Sequence, residues 1–139
     1  MAKVSYQQTL LVTTRNRGAT EITQLVDTIV AESTQDHTLC HIFVAHTSAS
    51  LMITGNEDAD VLLDIEDYFQ TQVADANPNY RHNNEGDFDM SGHIRSILTG
   101  ESKTIPIIDS KLALGKFQGL FLYEHRAGEN TRKLIITLS

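Results

Sequence analysis

The sequence predicts an α+β fold, one compact domain with a β-sheet core and a few helices. Three observations predict it. The chain has 139 residues, an ordinary size for a single domain. Its hydrophobic fraction of 40% suffices for a real core. Strand-like and helix-like periodicities occur in an order, strands and helices first and β-hairpins last, that differs from the alternation of a parallel α/β sheet.

Val4 to Thr14 alternates around Val4, Tyr6 and Leu10 and reads as a strand, with Arg17-Gly18 as a turn. Glu21 to Glu32 places Ile22, Leu25, Val26, Ile29 and Val30 at helical spacing. Glu21 falls in its first turn, where the helix dipole favours an acid. Thr38 to His46 and Ala49 to Thr54 read as strands. Asp58 to Val73 is the clearest helix: Val61, Leu62, Ile65, Phe69 and Val73 form one apolar stripe, and Asp58 suits an N-cap. Asp60, Asp64, Glu66 and Asp67 resemble a metal cluster, but a solvated helix face explains them better.

From Asp75 to Asp89 the pattern stops, and Asn77-Pro78-Asn79, Asn83-Asn84 and Gly86 are loop chemistry. A long polar loop in a small domain is more often functional than a short one. A short helix from Ser91 to Leu98, ended by Gly100, precedes strands at Lys103–Ile108, Leu112–Leu114, Phe117–His125 and Arg132–Leu138.

The net charge of -7, with no run of Lys or Arg, argues against nonspecific nucleic-acid binding. It leaves room for a local anion pocket. No stretch approaches the roughly 18 apolar residues of a membrane span, and the N-terminus alternates where a secretory signal would be apolar. A cytoplasmic protein is the expectation. Cys40, the one cysteine, permits no intrachain disulfide, and its apolar strand suggests a buried, inert thiol. The sequence has no GxSxG elbow, phosphate-binding loop or GxGxxG turn.

The chemistry concentrates in Tyr80 to His93, which carries His82, Glu85, Asp87, Asp89 and His93. Imidazole nitrogens and carboxylate oxygens suit zinc, manganese or iron, although the spacing matches no established metal motif. His46 ends a predicted strand, before Thr47, Ser48 and Ser50. Their hydroxyls either hold phosphate oxygens or satisfy a tight turn. His125, between Glu124 and Arg126, ends another strand, with an exposed strand end as the plainer reading. A histidine general base needs no metal.

Taken together, these segments resemble a known family. His46-Thr-Ser-Ala-Ser-Leu51, followed by Asn56 and Asp58, resembles its HTSASL…N-x-D signature. Tyr80-Arg-His82, Glu85-Gly86, Asp89 and His93-Ile-Arg-Ser resemble its central block, and Gly115 to Leu122, leading into Glu124-His-Arg126, resembles GTWQGI-x-L. These marks are similar to the YjbQ family, also called UPF0047, across nearly the whole chain. Phe117 stands where the family usually has Trp, Lys116 where it has Thr, Gly55 where it has Glu and Ser110 where it has Gly.

The resemblance implies a YjbQ-like α+β subunit, a homotrimer, and a site in which His46, His82 and His93 hold a divalent metal. Zinc is expected, with magnesium or manganese as alternatives. It also implies a weak thiamine-phosphate synthase-like activity, which joins a pyrimidine diphosphate to a thiazole phosphate. The resulting expectation is an enzyme acting on a small phosphorylated molecule. Glu85 or Asp89 would orient a ligand or act as base, and Arg126 would neutralise the departing phosphate. Thr47, Ser48, Asn56, Arg95 and His125 are the expected substrate contacts. The competing expectations are a noncatalytic metal- or ligand-binding homotrimer and a metal-assisted phosphate-ester hydrolase.

Overall fold

The computed structural model describes residues 4–139. In chain order the elements are β1 (Tyr6–Thr14), β2 (Gly18–Glu21), α1 (Thr23–Glu32), β3 (Leu39–Val44), β4 (Ala49–Gly55), α2 (Ala59–Gln72), α3 (Asp89–Thr99), β5 (Ser102–Ile108), β6 (Lys111–Leu112), β7 (Gln118–Glu124) and β8 (Asn130–Leu138). The fold is α+β, and each strand pairing is antiparallel.

Two sheets form. One has five strands in the order β1-β8-β3-β5-β6; the other has three, β2-β7-β4. The central strand β7 explains how they stack. It is Gln-Gly-Leu-Phe-Leu-Tyr-Glu, buried from Gly119 onward. Successive strand side chains point to opposite faces. Leu120 and Leu122 therefore enter a core with Ile42, Val44, Leu134 and Ile136 of the larger sheet, closed by Val26, Ile29 and Val30 of α1. Phe121 and Tyr123 enter a second cluster with Met52, Phe69 and Val73 under α2, with Ile94 of α3 packed against it. A strand buried on both faces reads as a continuous apolar run, which is why the smaller sheet can serve two cores.

The predicted α2 is nearly unchanged. Asp58 caps it by accepting from the Asp60 N–H at 2.9 Å. Asp60, Asp64 and Asp67 lie on the solvent side, as the amphipathic pattern requires. Glu66 departs from that reading. It turns inward and accepts from Arg95 Nη1 at 2.8 Å and from the Tyr123 hydroxyl.

At α1 the helix starts two residues later than predicted. Glu21 is the last residue of β2, paired with Phe121, and Ile22 N–H donates to Leu120 O at 2.8 Å. Sheet pairing outweighs the dipole benefit of an acid in the first turn. Leu25 also departs from the expected apolar face and is exposed. At the end of α3, Gly100 adopts φ +97, a conformation costly for a residue with Cβ.

Candidate metal centre

The loop between α2 and α3 has no regular structure, yet it is closed on itself. Ala76 N–H donates to Asp87 O at 2.9 Å, and the Tyr80 hydroxyl donates to Ala74 O at 3.1 Å. At its base Asp75 accepts from Arg17 Nη1 and Nη2, at 2.6 and 2.8 Å, and from the Ser91 hydroxyl. These bonds hold Asp75 ionised: burial opposes its charge, and Arg17 and Ser91 more than offset that. The loop therefore returns His82 to the first turn of α3.

There His82, Asp89 and His93 meet. Asp89 and His93 share a helix face because they are four residues apart. His82 Nε2 lies 2.7 Å and His93 Nε2 3.1 Å from Asp89 Oδ2, and Arg126 Nη2 donates to Asp89 Oδ1 at 3.0 Å. One ligand atom from each of His82, Asp89 and His93 lies within 4.8 Å of the other two. Burial disfavours the Asp89 carboxylate, but hydrogen bonds from His82 and Arg126 win and hold its pKa down to about 2. Its place in the first turn of α3 adds the helix dipole in the same direction.

Two clefts flank this group. One, of about 380 Å³, is bounded by Glu85, Asp89 and Arg126. The other, of about 480 Å³, is bounded by His46, Thr47 and His93 with Phe43 and Ile97 as apolar walls. Glu85 is exposed, 3.7 Å from His82 Nε2 and beside the Asp89 carboxyl, so it can help orient that ring. Thr47 is exposed at the mouth of the second cleft.

His46 borders the same cleft as His93 but stands outside the three-residue group. The Ser48 N–H donates to His46 Nδ1 at 2.9 Å. A neutral ring that accepts at Nδ1 carries its proton on Nε2, which then donates and cannot ligate. Burial, reinforced by Arg132 and Arg126, lowers its proton affinity and favours this neutral ring. In the described geometry Asp89, expected as base or orienting group, occupies the position expected for His46.

Four expected substrate contacts fall elsewhere. Arg95 is fully buried and bonded to Glu66. Two residues beyond His93 on a helix, it is turned about 200° from that ring. His125 is also fully buried, its Nε2 2.9 Å from Ser50 Oγ and its ring edge-on to Tyr123 at 4.5 Å. Burial, with Arg95 second, lowers its pKa to about 3, so it is a neutral core imidazole. Asn56 lies at the opposite end of β4 from His46, near Glu21. Ser48 is buried, and its hydroxyl has no partner. The thiol of Cys40 is buried as expected, and desolvation raises its pKa to about 12.

The sequence reading missed a buried ion pair. Glu124 accepts from Arg132 Nε and Nη2, both at 2.7 Å, from Thr14 Oγ at 2.6 Å and from the Arg126 N–H at 3.0 Å. Its only sequence signal is an acid and a base ending and opening neighbouring strands.

No helix is long and apolar enough to cross a membrane among the described residues. The family profile of UPF0047 proteins, YjbQ-like, matches residues 7–139. A UPF0047 protein of Synechocystis is 40% identical over 134 residues, covering 96% of this chain and 91% of the relative. The YjbQ protein of Escherichia coli O157:H7 is 37% identical, with 96% of each covered. Among solved structures, a YbjQ-like protein of unknown function from Sulfolobus solfataricus superposes with TM-score 0.86 at 24% identity, covering 97% of this chain and 96% of that one. A conserved hypothetical protein from Thermus thermophilus gives the same TM-score of 0.86 at 26% identity, covering 95% and 99%. The chain belongs to the UPF0047 family of YjbQ-like proteins.

Proposed function

We propose that the chain is a cytoplasmic enzyme that acts on a small phosphorylated molecule at a divalent-metal site formed by His82, Asp89 and His93. The observation that carries this reading is the convergence of two imidazole nitrogens and one carboxylate oxygen within 4.8 Å of one another, beside Arg126. That donor set fits zinc or another transition ion and leaves coordination positions open to substrate. When bound, a divalent ion supplies polarisation of a substrate oxygen and neutralisation of developing charge.

The chain's own groups supply the rest. Arg126, half-buried and already on Asp89, orients that carboxylate and presents positive charge to the cleft it shares with Glu85. His46, with its proton on Nε2, is a donor facing the second cleft. The nitrogen-rich donor set favours metal-assisted hydrolysis of a phosphate ester over departure of diphosphate, which usually relies on magnesium with oxygen ligands. The thiamine-phosphate synthase-like reaction is then a secondary capacity of the same site. Exposed Phe43 and Ile97 beside the second cleft supply apolar surface for the homotrimer that this reading includes.

The test is metal analysis of the untagged protein by plasma emission spectrometry, followed by a screen of phosphate esters and diphosphates. About one zinc or manganese ion per chain, absent from an Asp89→Asn/His93→Ala variant, supports the reading. No metal after gentle purification, and none taken up on titration, overturns it. Metal without turnover on any phosphorylated compound leaves a binding protein.

A further inference from the structure

Residues 74–88, between α2 and α3, carry His82, yet none of them is buried and none belongs to either core. Hydrophobic burial therefore does not fix this segment. Its hydrogen bonds also stay local. The Ala76 N–H donates to Asp87, Tyr80 bonds to Ala74 and Asn77, the Asn79 N–H donates to Asn77, and His82 meets Asp89. The Gly86 and Phe88 carbonyls accept from the first turn of α3. A loop closed on itself has a shape, but that closure does not place it against the rest of the fold.

Arg17 supplies the missing tie. It stands in the turn between β1 and β2 and donates to Asp75 from Nη1 and Nη2, at 2.6 and 2.8 Å. Among the described residues, no other hydrogen bond joins residues 74–88 to anything beyond themselves and α3. The same guanidinium lies 4.6 Å over the Phe88 ring, at the far end of the segment. Asp75 in turn accepts from Ser91, which stands between Asp89 and His93 in α3. One side chain thus gathers the start of the loop, its end and the helix. Only 13% of the Arg17 side chain is exposed, and a partly desolvated two-pronged pair fixes direction as well as distance. Its own backbone is anchored, because Gly18 pairs with Glu124 of β7. The helix is held without Arg17: Ile94 packs on the second core, Arg95 bonds to Glu66, and Asp89 accepts from Arg126 at 3.0 Å. Asp89 and His93 are therefore placed by α3, whereas His82, 42% exposed, is placed by the loop.

We infer that Arg17 is a positioning residue for the proposed metal site: it holds the loop against α3 and so presents His82 to Asp89 and His93. The inference rests on the proposed function for what the three groups hold, and on the loop geometry alone for what Arg17 does. A ligand brought in from a loose loop loses conformational freedom when the ion binds; a loop already held has lost it beforehand.

The test is zinc affinity of the full chain, by chelator competition, in a cycle of Arg17→Gln and His82→Ala. Arg17→Gln is expected to weaken zinc binding about tenfold on its own and to add nothing in the His82→Ala background. Arg17→Lys, which keeps the charge and loses the fork, should fall between wild type and Arg17→Gln. A merely structural role would lower affinity equally in both backgrounds; that result, or an unchanged affinity in Arg17→Gln, overturns the inference. Should Arg17→Gln fail to fold, Asp75→Asn breaks the same pair from the other side and replaces it in the cycle. The role is also read without metal. The His82 and His93 rings lie 5.4 Å apart, so the chelator-treated protein should show a nuclear Overhauser contact between them that Arg17→Gln abolishes. A contact retained in that variant overturns the inference whether or not zinc binds. A protein that binds no zinc but loses the contact keeps the positioning role and removes the metal site.

Discussion

β4 and β7 form a ribbon whose two ends both carry dense polar sequence, and the ends differ in what those groups have left to give. At the Asn56–Gln118 end the polar groups close on one another. Asn56 N–H donates to Phe117 O at 3.1 Å, Gly115 N–H donates to Gln118 Oε1 at 2.8 Å, and the Asn56 amide reaches Glu21 at 3.4 Å. A side chain at Gly119 would place its Cβ 2.9 Å from both Asn56 Cβ and Phe121 Cε2. At the Ser48–Glu124 end the Glu124 carboxylate is fully engaged, and Arg126 joins it to the group in which ligand atoms of His82, Asp89 and His93 gather within 4.8 Å. Motif residues thus serve two purposes, and hydrogen-bond accounting separates them. A closed set fastens the chain; in the proposed reading, the gathered imidazoles and carboxylate are a ligand set.

The sharpest way to break this comparison is Asp89→Asn against Asn56→Ala. Asp89→Asn is expected to abolish metal binding and to lower any phosphate-ester turnover by about a hundredfold or more, since it removes the one anionic ligand. Asn56→Ala should leave metal content unchanged. Metal retained in the first variant, or lost in the second, would show that the ends had been assigned the wrong way round.

A smaller effect is expected at the closed end from Gly119→Ala. The added methyl must displace Asn56, Phe121 or Glu21, at a cost of about 1–3 kcal/mol for overpacking. Denaturant unfolding should show that loss while metal stoichiometry stays the same. An unchanged midpoint would mean that the closed end is looser than its contacts imply.

Gly92→Ala should invert the pattern. Its Cβ would lie 3.2 Å from His125 Cβ, so α3 must shift by a few tenths of an ångström from β7. Alanine favours a helix over glycine by about 1 kcal/mol, which offsets the strain. Stability should therefore change little while zinc affinity, measured by chelator competition, weakens by about tenfold as Asp89 and His93 move together. Equal affinity would show that the loop carrying His82 follows the helix.

The effect with least weight near neutral pH is the pH dependence from His125, which grows only on acidification. Its folded pKa is about 3, below the ordinary imidazole value of 6.5. Between those values the unfolded chain binds a proton that the folded chain does not. Stability should therefore fall as pH drops from about 6.5 toward 3 and lose nothing further through this group below that. His125→Gln should flatten that part of a curve of unfolding midpoint against pH. A variant as steep as wild type would assign the slope to another group.

Some of this was legible in the residues. The 3.6-residue period and the Asp58 cap marked α2 almost to its ends, because an amphipathic helix carries its signal locally. The density of His and Asp between Tyr80 and His93 marked the loop that the structure folds back onto α3, and the i, i+4 spacing of Asp89 and His93 was available there. By contrast, β2 has only four residues, two exposed, and exists because β7 offers it an edge. Burial at the ends of strands was equally hidden. His125 and Arg95 read as substrate contacts and Glu124 as part of an exposed strand end, and each is fully buried.

The sequence by itself determined the α+β class, the UPF0047 membership and the candidate chemistry, since periodicity, capping and motif identity are properties of neighbouring residues. Only the tertiary structure decided which polar groups act together. Asp89 joins His82 and His93 because a loop closed by Ala76–Asp87 folds back on α3, and Arg132 of the larger sheet reaches Glu124 of the smaller one. A hydrogen bond is satisfied or left open by atoms distant in sequence, so that division between fastening and binding residues exists only once the sheets have paired.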